Sequence, residues 1–90
     1  MEIKKDDNKY IYVIVGKNIK RIRKAHHLTQ MQLADLIGYN EGTVANIENS
    51  SYQTFSLEFI YIISKKLNVP MSEFFKNIDW MQKEVHGPLF

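Results

Sequence analysis

Five cations, Lys17, Lys20, Arg21, Arg23 and Lys24, lie close together with no acid among them, and from Ala25 to Ser64 no Lys or Arg follows. Clustered cations neutralise the phosphates of a nucleic acid, so the run is a candidate electrostatic footprint. A solvated helix face would carry the same run, and charge alone leaves the two readings level. Other constellations carry less. His26, His27 and His86 are the only histidines; adjacent histidines point to different helix faces, and no nearby carboxylate completes a ligand spacing, so no metal site and no cofactor is expected. Ser50 and Ser51 lack a base arranged for nucleophilic catalysis, and no glycine-rich phosphate loop is present. Nothing in the chain argues for an enzyme.

The remaining composition narrows the class. Ninety residues, 44% of them hydrophobic, suffice for one domain with one core. The absence of cysteine excludes a disulfide framework and a thiolate metal site, and fits a reducing cytoplasm. The longest apolar run, Tyr10 to Val15, is too short to span a bilayer. Asp6 and Asp7, with no small-residue cleavage site, argue against a signal peptide. The expectation is therefore a cytoplasmic protein, made and kept inside the cell. Formal net charge is only +2, so any basic footprint is local.

Positioning the cations falls to the elements around them. Ile11, Ile14, Val15, Ile19 and Ile22 recur at steps of three and four, predicting a first helix from about Tyr10 to His26. Its opening Tyr-Ile-Tyr-Val-Ile-Val is also strand-like, so residues 10–15 remain open between helix and paired strand. Thr29 with Gln32 spells a capping box for a second helix, with Leu28 and Leu33 as its hydrophobic staple. Gly38 supplies the residue that ends it. Asn40 caps a third helix to about Asn49, with Tyr39 and Val44 as a staple, and Ser56 caps a fourth, with Phe55 and Ile60. Pro70 begins or precedes a fifth, along which Met71, Phe74, Phe75 and Ile78 share a face. The fold class expected is all-α: a compact five-helix bundle with short N- and C-terminal extensions. Its domain boundaries are an extension over 1–14, the folded domain over 15–78 and a tail over 79–90.

Two helices joined by Gly38-Tyr39-Asn40 form a helix-turn-helix, which sets one helix across another and presents the second to DNA. Such packing needs a small residue in the first helix, here Ala34, a glycine at the turn, and Val44 and Ile47 inside the second.

On Gly16, Ile19, Arg23, Leu28-Thr29-Gln30, Leu33-Ala34, Gly38, Thr43-Val44, Ile47-Glu48, Ser56-Leu57-Glu58, Leu67-Asn68-Val69 and Phe74-Phe75, the chain resembles the Cro and phage-repressor family. This is the lambda-repressor-like, or XRE-type, helix-turn-helix family. The resemblance runs from about Val15 to Phe75. It implies a five-helix fold and a transcriptional regulator, expected to be a repressor, that binds double-stranded DNA in the major groove. The DNA would be an inverted-repeat operator bound by a homodimer. Base reading would fall to Glu41, Gly42, Thr43 and Asn46, with Ala45 beside them. Phosphate contacts would come from Lys17, Lys20, Arg21, Arg23, Gln30, Asn49 and Ser51. The resemblance also pairs Arg23 with Glu48. That pair has two readings, a purely structural bridge or a bridge lying against the DNA backbone.

Some residues depart from the family pattern. The third helix and its following turn hold no Lys or Arg, Ser50 stands where glycine is usual, and His27 replaces the common glycine or asparagine. Phosphate grip then rests on the first helix, and useful affinity requires two copies. Phe59, Ile62, Phe75, Ile78 and Trp80 are the expected dimer interface, unless the extensions fold back over them within one chain. The rival function is a protein-interaction module, such as an antitoxin or regulatory subunit, and a protein or peptide regulator is compatible with either.

Overall fold

The computed structural model describes residues 7–49 and 53–78. Among the described residues four α-helices follow in order, α1 (Tyr10–Ala25), α2 (Gln30–Ile37), α3 (Glu41–Glu48) and α4 (Leu57–Leu67), and a 3₁₀ turn, Met71–Phe75, packs against α1 and α4. Among the described residues there is no strand. None of their helices is long and apolar enough to cross a membrane.

Residues 10–15 are helical. Their β-branched side chains favour strands only weakly, and burial decides: Val13, Ile14 and Val15 are buried on the helix that also buries Ile19 and Ile22. No side chain caps α1 at Lys9; a turn on Asp7 starts it, with the Lys9 amide donating to Asp7 Oδ1 at 2.7 Å and the Tyr10 amide to the Asp7 carbonyl at 2.9 Å.

The other three helices begin where their caps stand. Thr29 Oγ1 accepts from the Gln32 amide at 3.0 Å while Gln32 Oε1 accepts from the Thr29 amide at 2.8 Å, the reciprocal box. Asn40 Oδ1 accepts from the Thr43 amide at 2.7 Å, and Ser56 Oγ from the Phe59 amide at 3.1 Å. Gly38 ends α2 in the left-handed region at φ 80°, where the Tyr39 amide reaches the Ala34 carbonyl at 2.9 Å. Asn68 ends α4 the same way at φ 55°.

The core is a single cluster in which Val15, Ile19 and Ile22 of α1 meet Leu33, Ala34 and Ile37 of α2, Val44 and Ile47 of α3, and Phe59, Ile60 and Ile63 of α4. Phe74, fully buried, brings the 3₁₀ turn into it.

The expected fifth helix is corrected to this one 3₁₀ turn. Its carbonyls are taken from outside: Asn18 Nδ2 donates to the Phe74 carbonyl at 2.9 Å and to the Lys76 carbonyl at 2.8 Å. Arg21 Nη2 donates to the Glu73 carbonyl at 3.1 Å. Carbonyls satisfied by α1 side chains gain nothing from further helix, and Lys76 and Asn77 leave in extended and left-handed conformations.

Two backbone positions make opposite demands. A Cβ on Gly16 would fall on the Ile47 carbonyl of α3, so only glycine lets α1 and α3 approach this closely. His27 sits at φ 58°, a conformation that costs a non-glycine residue about 1–2 kcal/mol. Replacing Gly16 by Ala is expected to destabilise the fold by about 1–3 kcal/mol. Conversely, His27→Gly should stabilise it by about 0.5–1 kcal/mol. Thermal denaturation reads both, and a stabilising Gly16→Ala would contradict the helix contact.

Candidate nucleic-acid interface

A buried ion pair ties the end of α3 to α1 and to the turn before α2. Arg23 on α1 donates through Nε to Glu48 Oε2 at 2.7 Å and through Nη2 to Glu48 Oε1 at 2.9 Å. Its Nη1 donates to the Leu28 carbonyl at 2.6 Å, just ahead of α2. Gln30, the first residue of α2, donates from Nε2 to Glu48 Oε1 at 3.1 Å. One carboxylate at the end of α3 thus gathers α1 and the start of α2. The pair is inside the protein, with Arg23 at 7% and Glu48 at 3% exposure. Fork-to-carboxylate geometry makes such burial tolerable, because both charges keep their hydrogen bonds.

For Arg23 two roles are expected, a purely structural bridge and a bridge lying against the DNA backbone. The structure commits the guanidinium to Glu48 and the Leu28 carbonyl, the bridge that both readings share. Arg21 is also engaged: Nη2 lies 3.1 Å from the Glu73 carbonyl and 3.5 Å from Asn18 Oδ1, and Nη1 lies 3.9 Å from Glu73 Oε1. Lys17, Lys20 and Lys24 form no ion pair among the described residues. Lys17 and Lys24 are exposed and Lys20 is half-buried. Lys20 follows Gly16 by four residues and precedes Arg23 by three, which puts it on the α1 ridge that meets α3.

Along α3, Val44, Ile47 and Glu48 face inward. Gly42, Ala45, Asn46 and Asn49, at steps of three and four, share the opposite ridge; Ala45 is half-buried and the others exposed. Glu41 is exposed at the first turn, where its charge also complements the helix dipole. Thr43 is half-buried, and its Oγ1 donates to Asn40 Oδ1 at 2.9 Å. Gly42 is not demanded by packing, since a Cβ there would meet Asn40 Oδ1 only at an ordinary 3.5 Å. Ser51 and Trp80 lie outside the described residues.

Of the expected dimer residues, Phe59 is corrected to the core at 1% exposure, with the Tyr39 ring edge-on at 4.9 Å and Phe55 at 5.5 Å. Ile62 is half-buried against the core, Ile78 is half-buried, and Phe75 is 38% exposed. Exposed apolar side chains also stand on α4. Leu57 (67% exposed) and Tyr61 (51%) stand out from α4, and Leu57 lines two shallow apolar depressions. One continues to Tyr12, Phe55 and Phe75, the other to Tyr61 and Met71.

Asn18 and the Gln30–Glu48 bond were not foreseen. Asn18 had a legible signal, a polar residue three after Val15 and four before Ile22 on the apolar stripe, since a buried amide must find partners. The Gln30–Glu48 bond spans eighteen residues and left no local trace. No group of three or more potential metal ligands occurs among the described residues.

Residues 19–74 match the family described as helix-turn-helix. Over 56 residues the chain is 41% identical to the antitoxin PezA of Streptococcus pneumoniae serotype 4 (strain ATCC BAA-334 / TIGR4). That match covers 62% of this chain and 35% of the relative's length.

The ion pair makes a test by double replacement. Arg23→Met or Glu48→Leu alone should cost about 3–5 kcal/mol by stranding a buried charge, whereas the double variant should recover most of that loss. Additive losses in chemical denaturation would show that the two residues do not act as a pair.

Proposed function

The chain belongs to the helix-turn-helix family, and from that premise we propose that it is a sequence-specific DNA-binding regulator that represses by occupying an operator. The observation that carries this reading is the outward ridge of α3, small and polar, on a helix held from behind by the buried Arg23–Glu48 pair. Glu41, Gly42, Thr43 and Asn46 read base edges in the major groove, where Asn matches adenine and Glu accepts from cytosine. Small Gly42 and Ala45 allow α3 to come close. Gln30 at the start of α2, with Asn49 and Ser51 after α3, contacts phosphates beside the free amides of the helix end. Lys17, Lys20 and Lys24 supply the long-range attraction, while Arg23 and Arg21 hold the scaffold.

A reading surface without Lys or Arg grips weakly, so the operator is bound by a homodimer on an inverted repeat. Leu57, Tyr61 and Phe75 supply the contact between copies, in place of Phe59 and Ile62. Their exposure on a continuous apolar surface supports this assignment.

A second reading is favoured by one observation, the identity to a protein named an antitoxin. On that reading the chain also engages a protein partner. The matched third of PezA supports it only for the shared segment.

Selection from a random DNA pool at moderate salt is expected to return a palindrome. Asn46→Ala should then relax preference at one base pair per half-site by about 1–3 kcal/mol, with the fold intact. Recovery of no sequence, together with a co-purifying protein, would favour the second reading. For the dimer, Leu57→Glu is expected to give a monomer in sedimentation equilibrium and to weaken operator binding; an unchanged dimer would exclude this surface.

A further inference from the structure

The geometry points to Asn40 as a positioning residue that sets which bases α3 can read, by fixing Thr43 as a hydrogen-bond acceptor. This inference rests on the assignment of α3 as the base-reading helix. Asn40 Oδ1 accepts two hydrogen bonds, from the Thr43 amide at 2.7 Å and from Thr43 Oγ1 at 2.9 Å. Only the amide's carbonyl oxygen can accept from a backbone N–H, so the side-chain orientation follows from the cap itself. A hydroxyl carries one hydrogen and two lone pairs. With its hydrogen committed to Asn40, Thr43 Oγ1 retains only lone pairs for a second partner, and the threonine methyl remains the other surface it can offer.

That polarity has a consequence for sequence. In the major groove, adenine presents an amine at N6, cytosine an amine at N4, and thymine a methyl group, whereas guanine presents two acceptors, N7 and O6. An oxygen confined to accepting meets guanine acceptor to acceptor. Thr43 therefore selects adenine, cytosine or thymine on the edge it touches and rejects guanine. Glu41, two residues before it and exposed, is an acceptor too when ionised, so these two side chains share one hydrogen-bonding sense. Capping α3 does not need this arrangement: aspartate, serine and glycine are all accepted at an N-cap. What Asn40 adds is the clamp on the neighbouring hydroxyl.

The test compares variants at the cap in the DNA pool selection. The base pair whose preference disappears in Thr43→Ala identifies the position that Thr43 reads. At that position the unaltered protein should disfavour guanine by about tenfold or more. Asn40→Asp keeps both accepted bonds, and should keep the rejection of guanine while weakening binding to every sequence through its added charge. Asn40→Gly still starts the helix but frees the Thr43 hydrogen to donate, and should bring guanine to within about threefold of the preferred base. Circular dichroism on each variant confirms that α3 is retained. Selection of guanine at that position by the unaltered protein, its continued rejection by Asn40→Gly, or its acceptance by Asn40→Asp would each overturn the assignment. If the unaltered protein selects no sequence, the base-reading function itself fails, an outcome distinct from these three.

Discussion

Glu48 is the point on which the arrangement of helices depends. Its carboxylate accepts from Arg23 of α1 and from Gln30 of α2 while it sits at the end of α3. A carboxylate with almost no contact with water must have its charge matched and its lone pairs filled, and only a narrow range of interhelical geometry does both. Arg23 extends the same constraint to the turn before α2: its backbone carbonyl accepts from the Leu28 amide at 3.1 Å, and its side chain donates to the Leu28 carbonyl. Apolar packing brings α1, α2 and α3 together without direction, and the ion pair supplies the direction.

The rest of α1 follows the same logic of satisfying polar groups at close contacts. Gly16 admits the α3 carbonyl of Ile47 where a side chain would stand, which brings Arg23, seven residues on, within reach of Glu48. On another face, Asn18 and Arg21 take up the carbonyls of the 3₁₀ turn and hold Phe74 in the core. The five cations that look like one patch along the sequence are thus divided. Arg23 and Arg21 bond within the scaffold, and Lys17, Lys20 and Lys24 form no ion pair among the described residues.

On the proposed reading, this division explains how a weakly charged surface could still discriminate. Hydrogen bonds to base edges discriminate only if the groups making them are held, because a freely rotating hydroxyl or amide adapts to whatever it meets. Gln30 is held by Glu48, and Thr43 by Asn40. Charge provides affinity without direction, and a surface poor in charge leaves proportionally more of its binding energy to oriented groups.

Much of the architecture was legible from local rules. Caps, staples and turn glycines act within a few residues, so Thr29, Gln32, Gly38, Asn40 and Ser56 marked helix ends that the structure places where expected. The all-helical class and the helix-turn-helix came from the same signals. The 3₁₀ turn escaped because its carbonyls are satisfied from α1, more than fifty residues away in the chain. Phe59 escaped because a stretch as apolar as Leu57 to Ile63 has no clear polar face, and only the packing of Tyr39 and Phe55 shows which side is inside. The sequence by itself determined where α2, α3 and α4 start and where α2 stops, since those interactions are short-range. Only the tertiary structure decided which cations are spent on the scaffold and which apolar side chains stay exposed, because both depend on partners brought together by folding.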